Sequence, residues 1–127
     1  MLTNGADQVD GVPFTSDYTT CTDDGSADGD WNVPDAALPV DGKATLTLSL
    51  DGPGALFGVG AFYAPAGSDT APTDPITLTV RPGTSPGTYV VDPPPHGDWA
   101  LVISTGIADA DHGVVRDVTY IYRVKVK

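Results

Sequence analysis

Glutamate is absent from this chain of 127 residues, so all 17 acidic side chains are Asp. Glu favours helices, whereas Asp favours caps, turns and cation sites, so this absence already argues for strands and loops. No window of ten residues carries a helical period. The nearest candidate, residues 105–111, is too short and too rich in Gly and Asp for more than one turn. Cysteine is almost missing as well. The single Cys21 excludes an intramolecular disulfide framework, and its expected role is that of a small buried apolar side chain. Apolar runs long enough to span a bilayer are lacking. The opening Met1-Leu2-Thr3-Asn4 has neither a basic nor an apolar leader region, and the expectation is of a product not exported by a cleaved signal.

Basic residues are scarce too: 6 Lys and Arg against 17 Asp give a formal charge of -11. Such a chain is repelled by nucleic acid and by anionic membrane surfaces, and neither is expected as a partner. The motifs of nucleophilic and phosphate chemistry are not there: no Gly-x-Ser-x-Gly elbow, no Cys and His in a recognisable local setting, no Gly-rich loop opening a helix. Two His and one Cys at unhelpful separations do not suit zinc. Asp pairs are so frequent here that any one is expected by chance. The expectation is a protein that is not an enzyme.

What the chain does have is alternation. In the stretch 97–104, Trp99, Leu101 and Ile103 share one parity. In 114–127, Val118, Tyr120, Tyr122, Val124 and Val126 share one parity, with Thr119, Arg123, Lys125 and Lys127 on the other. Only Ile121 breaks the pattern. Alternate positions fall on one face of a strand, so these two segments, separated by the turn-forming 109–113, are expected as a long antiparallel hairpin with one face buried. Ala44, Leu46, Leu48 and Leu50 alternate with Thr45, Thr47 and Ser49, and the turn at 51–54 leads to 55–63, expected to be the strand paired with it. There Gly58 and Gly60 leave room on one face for a bulge or a large neighbour such as Trp99. Further strands are expected at 76–81 and 88–91. Pro93-Pro94-Pro95 suggests a stiff extended crossing between sheets, and 64–75 an exposed polar loop.

With 15 Gly and 12 Pro punctuating six or seven short strands, the fold class expected is all-β, a single antiparallel β-sandwich of immunoglobulin-like or jelly-roll type. Residues 43–127 form its core. Residues 1–42 hold nine of the Asp and no Lys or Arg, and are expected as an extended acidic arm, partly irregular, pegged to the sandwich by Phe14 and Trp31.

Two clusters invite a ligand reading. Asp23, Asp24, Asp28 and Asp30 lie in a Gly-rich run; closely spaced carboxylates suit calcium, but the spacing is not that of an EF-hand, no bidentate Glu is present, and a solvated acidic loop is the better account. Asp109, Asp111 and His112 fall in the hairpin turn, where Asp ordinarily bonds its own backbone. No other cofactor is expected. The charge layout carries more weight. Arg116, Arg123, Lys125 and Lys127 put four of the six basic residues in the last strand, opposite in sign to the first 42 residues. Either the arm folds back onto its own basic strand, or arm and strand meet between neighbouring copies.

The run Lys43-Ala44-Thr45-Leu46-Thr47-Leu48-Ser49-Leu50, followed by Pro86-Gly87-Thr88-Tyr89-Val90-Val91 and by 97–103, resembles the strands of secreted accessory β-sandwiches, the bacterial pre-peptidase C-terminal and proprotein-convertase P domains. In overall character, with its Ala, Gly, Pro, Asp, Thr and Val bias, its single sandwich and its arm, the chain is similar to small virion proteins of tailed bacteriophages, the capsid decoration and minor structural proteins. That resemblance implies a non-enzymatic structural protein on a virion surface whose partners are a shell protein or further copies of itself, with Phe14, Trp31, Arg116, Arg123, Lys125 and Lys127 at the interface. The alternative is a secreted carbohydrate- or cell-surface-binding module, calcium-stabilised or not, with aromatics such as Tyr63, Tyr89 or Trp31 stacking on sugar rings.

Overall fold

The computed structural model describes residues 1–19, 24–28, 31–41, 44–50, 54–67, 74–109 and 113–127. Twelve strands follow one another along them: β1 (Leu2–Thr3), β2 (Gln8–Val9), β3 (Val12–Thr19), β4 (Asp24–Asp28), β5 (Leu38–Val40), β6 (Leu46–Ser49), β7 (Ala55–Pro65), β8 (Ile76–Leu78), β9 (Val80–Pro82), β10 (Thr88–Val91), β11 (Gly97–Asp109) and β12 (Val114–Val126). They make two sheets packed face to face, so the all-β sandwich expected from alternation is what forms. One sheet has the order β2-β1-β6-β10-β9. The other runs β4-β3-β12-β11-β7-β8, with β5 added alongside β12.

The β11–β12 hairpin is the spine. Its ladder is unbroken from Gly97↔Val126 to Asp109↔Val114, thirteen residue pairs in all. The shared parity seen in sequence becomes the inner face: Leu101, Ile103, Ile107, Tyr122 and Val124 are buried against Leu46, Leu48 and Val91 of the smaller sheet. Burying each such aliphatic side chain contributes about 1.5–3 kcal/mol. Ile121, the exception to the alternation, faces outward yet is fully buried. It lies in a cross-strand row Val12–Ile121–Val102–Phe62, an apolar band on the outer face of the larger sheet.

Neither lateral side of the sandwich is left as a plain pair of edges. β2 lies in the smaller sheet and β3 in the larger, so the chain changes sheet at Asp10 and Gly11. On the opposite side β8 and β9 do the same around Thr79, whose carbonyl accepts the amide of Asp92. Gly11 is required by closeness. A Cβ there would stand 2.7 Å from the Cβ of Tyr120 and 2.8 Å from the ring of Tyr122.

Three expectations are revised. The strand β7 does not pair with β6: β6 joins β1 and β10 in the smaller sheet, while β7 joins β11 and β8 in the larger. Alternation tells which face of a strand is buried, not which strand lies beside it. Gly58 and Gly60 are not filled by Trp99, since a Cβ on either would meet nothing within 4 Å. Trp99 instead caps the inner face edge-on to Tyr63 at 4.9 Å and donates its indole N–H to the carbonyl of Pro95, at the end of the proline crossing. Residues 1–42, expected to lie over the sandwich, supply β1 to β5 to both sheets. Leu2, Leu38 and Val40 are fully buried in the common core.

Two outcomes follow for denaturant unfolding. Gly11→Ala is expected to lower stability by roughly 1–3 kcal/mol through overpacking, whereas Gly58→Ala, with open space above it, is expected to raise it by roughly 0.5–1 kcal/mol. Deleting residues 1–42 is expected to abolish the cooperative transition altogether, since it removes five strands and three core side chains from a domain whose total stability is about 5–15 kcal/mol.

Candidate functional site

The outer face of the larger sheet is where chemistry-bearing groups meet open space. In the rows above the Ile121 band, β12 contributes Thr119 and Asp117, β11 contributes Ser104 and Gly106, and β7 contributes Gly60 and Gly58, in register. The register between β7 and β11 shifts at Gly106 and Ile107, and the extra residue is Phe57. A bulge swings a side chain out of the regular alternation. The far half of the Phe57 ring comes to rest on Gly106, where a Cβ would sit 2.7 Å from its Cε2 and Cζ. The ring is nonetheless 57% exposed, and Val115 on the same face is 46% exposed. Beside the ring lies an open trough of about 350 Å³, lined by Phe57, Gly58, Gly60, Ser104, Asp117 and Thr119. The hydroxyls of Ser104 and Thr119 are 3.3 Å apart and share a hydrogen bond.

A second, smaller cleft of about 210 Å³ opens between the sheets near Asp10, Tyr120 and Tyr122. Burial, with the phenol of Tyr120 and the charge of Asp10 adding to it, pushes the Tyr122 hydroxyl well above the ordinary tyrosine range. It stays protonated at neutral pH.

The residues singled out from sequence are distributed as follows. Phe14 and Trp31 meet each other edge-on at 5.6 Å, joining β3 to the segment that leads from β4 to β5. Arg123 is engaged within the chain: its Nε and Nη2 donate to the two carboxylate oxygens of Asp98, at 3.0 and 2.7 Å, and its Nη1 donates to the carbonyl of Asp35 at 3.4 Å. The acidic N-terminal segment therefore touches the basic last strand of its own molecule at this point. Lys125 and Lys127 are exposed at the end of β12, and Arg116 is half-buried on it. Of the proposed calcium ligands, Asp24 and Asp28 stand at the two ends of β4, while Asp23 and Asp30 lie outside the described residues, as do Cys21, Asp111 and His112. Among the described residues no three His, Cys or Asp side chains come together as a metal site. Tyr63 is buried in the core and offers no face to a sugar, while Tyr89 is half-buried against the core and lines an open trough of about 300 Å³ with Pro82 and Thr88. Among the described residues the exposed aromatic is Phe57, for which the sequence analysis names no role. The signal available was the neighbouring Gly58, noted as compatible with a bulge.

The Arg123 hydrogen bonds hold the Asp98 carboxyl below the usual carboxylate range; the charges of Arg123 and Lys125 add to this and slight desolvation opposes it. A carboxylate whose folded pKa is depressed stabilises the fold above its unfolded pKa and ceases to do so as pH falls through the folded value. Asp98→Asn is therefore expected to melt below the parent at pH 7, with the gap closing in acid below about pH 4. Thermal melts of both proteins across that range check it. Compared with protein-family models, with curated proteins and with solved structures, the chain finds no match in any of the three.

Proposed function

We propose that the chain is a non-enzymatic association protein, a decoration or minor structural component on the surface of a phage particle, where it contacts a shell protein or further copies of itself. The observation that carries the association is strand β8. Among the described residues it pairs only with β7, so its other edge carries backbone donors and acceptors without a neighbouring strand. Its three residues Ile76-Thr77-Leu78 include no charge, and Ile76 is 57% exposed. Exposed edges are ordinarily blunted by shortness, Lys, Pro or a covering loop; β8 is short and follows Pro75, and its outer backbone groups offer a three-residue template to a strand from another chain. The virion setting is supported by the resemblance in composition and overall character. The sandwich brings stiffness to such a role, because its N-terminal segment is sewn into both sheets. Attachment is accordingly assigned to the sheet edge rather than to a free arm.

Fractionation of the native source on a density gradient, followed by mass spectrometry, tests the setting: the chain is expected in the dense particle band at a fixed ratio to a major shell protein, and recovery only in the soluble fraction would overturn it. The edge is tested by Ile76→Lys. The variant is expected to melt with the parent while its retention on particles weakens about tenfold, the effect of losing one buried interface side chain. A second reading, a carbohydrate- or cell-surface-binding module, is favoured by the exposed ring of Phe57 beside its trough.

A further inference from the structure

We infer that the trough beside Phe57 is a binding site for a neutral saccharide unit, recognised by stacking on the Phe57 ring, by hydrogen bonds with the hydroxyls of Ser104 and Thr119, and by sugar hydroxyls donating to Asp117. This rests on the carbohydrate-binding reading and gives it a location and a ligand class.

The argument begins with the ring. Phe57 is displaced from the alternation by the bulge opposite Gly106 and Ile107, and its far half is braced on Gly106, yet more than half of its surface faces water. An aromatic braced on backbone is already ordered, so stacking a ligand on it costs little further side-chain entropy. The apolar face of a pyranose, a patch of C–H groups, is complementary to such a ring. Beside the ring the floor is open because Gly58 and Gly60 carry no side chain and nothing else enters the space they leave. At about 350 Å³ the trough is at the small end of ligand sites, suited to one unit of a glycan and not to an extended polymer.

The polar wall narrows the ligand further. Ser104 and Thr119 present hydroxyls that both donate and accept, and Asp117 presents an exposed carboxylate; sugar hydroxyls need this mixture of partners. Among the described residues no lysine or arginine lines the trough, and the chain carries a formal charge of -11. Sialylated, uronic or phosphorylated sugars would meet repulsion from Asp117 and from the whole molecule, which leaves neutral hexoses. A peptide strand is a poor fit, because the floor lies within paired strands, where the backbone bonds of β7, β11 and β12 are already made within the sheet.

The test is a glycan array of neutral gluco-, galacto- and manno-oligosaccharides beside sialylated and uronic-acid glycans, probed with the full chain and two variants. Phe57→Ala removes the platform; Gly58→Val keeps the platform and fills the floor. Circular dichroism of both is expected to match the parent, with melting slightly lower for Phe57→Ala, which loses its packing on Gly106, and at or above the parent for Gly58→Val. The parent is expected to bind neutral glycans, and each variant to bind them about tenfold more weakly, the size of one lost stacking contact. Binding of the parent to no glycan would overturn both the site and the carbohydrate-binding reading. Binding to glycans that neither variant weakens, or binding restricted to acidic glycans, would overturn the site and its ligand class while leaving carbohydrate binding standing. Particle association is read by sedimentation and is independent of each of these results.

Discussion

The thirteen-pair ladder between β11 and β12 is the constraint from which the remaining arrangement follows. Every residue of β11 from Trp99 to Ala108 is also matched to β7, which leaves only the bulged Phe57 of β7 without a partner, and the far edge of β12 is divided between β3 along Val115 to Ile121 and β5 along Val124 to Val126. A slip of one residue in that ladder would turn Leu101, Ile103, Tyr122 and Val124 out to solvent and bring Arg123 and Lys125 in. The register is thus fixed by burial on one side and by charge on the other. β5 runs parallel to β12 and follows residues 31–37, which bring the Asp35 carbonyl to Arg123.

That return explains how a segment with nine Asp and no basic residue is accommodated. It does not build a core of its own. Leu2, Leu38 and Val40 insert singly into a core made by later strands, each on a strand of two or three residues, while the Asp side chains at 7, 10, 35 and 41 remain at the surface. The two places where the chain changes sheet, at Gly11 and near Thr79, then join the sheets laterally. The bidentate Arg123–Asp98 pair is a diagonal cross-strand contact on the outer face of the same ladder, so it reinforces the register as well as meeting the N-terminal segment through the Asp35 carbonyl.

Much of this was legible in the sequence because period-two alternation is a direct consequence of strand geometry. The strands around Leu46, Tyr89, Leu101 and Tyr122 were readable for that reason, and Pro93 to Pro95 marked the crossing between sheets. What alternation does not encode is adjacency, which is why β6 and β7 looked like partners and are not. Nor does it reveal strands of two or three residues: Leu38-Pro39-Val40 is too short to show a period, and its role depends on the distant Val124 and Val126. Ile121 looked like a fault in the pattern because the outer face was taken to be solvated throughout; the band from Val12 to Phe62 is a second apolar surface. Phe57 was missed because a bulge is a mismatch between two strands and is invisible in either one alone.

The bulge and the glycines around it are difficult to explain by folding alone. Gly within a strand costs roughly 0.5–1 kcal/mol relative to Ala, and Gly58 and Gly60 have room for a Cβ that neither carries. Gly106 is different: its missing Cβ is what lets Phe57 lie down. Extending the apolar band upward with Val or Thr at 58 and 60 would cover the face and raise strand propensity. The fold instead keeps an open floor, an exposed ring braced beside it, and Ser104, Thr119 and Asp117 along the side. A surface that gives up stability at two adjacent positions and holds a large aromatic in water has the character of a site shaped for a ligand, in the way that sequence and fold agree elsewhere and part company where function intervenes.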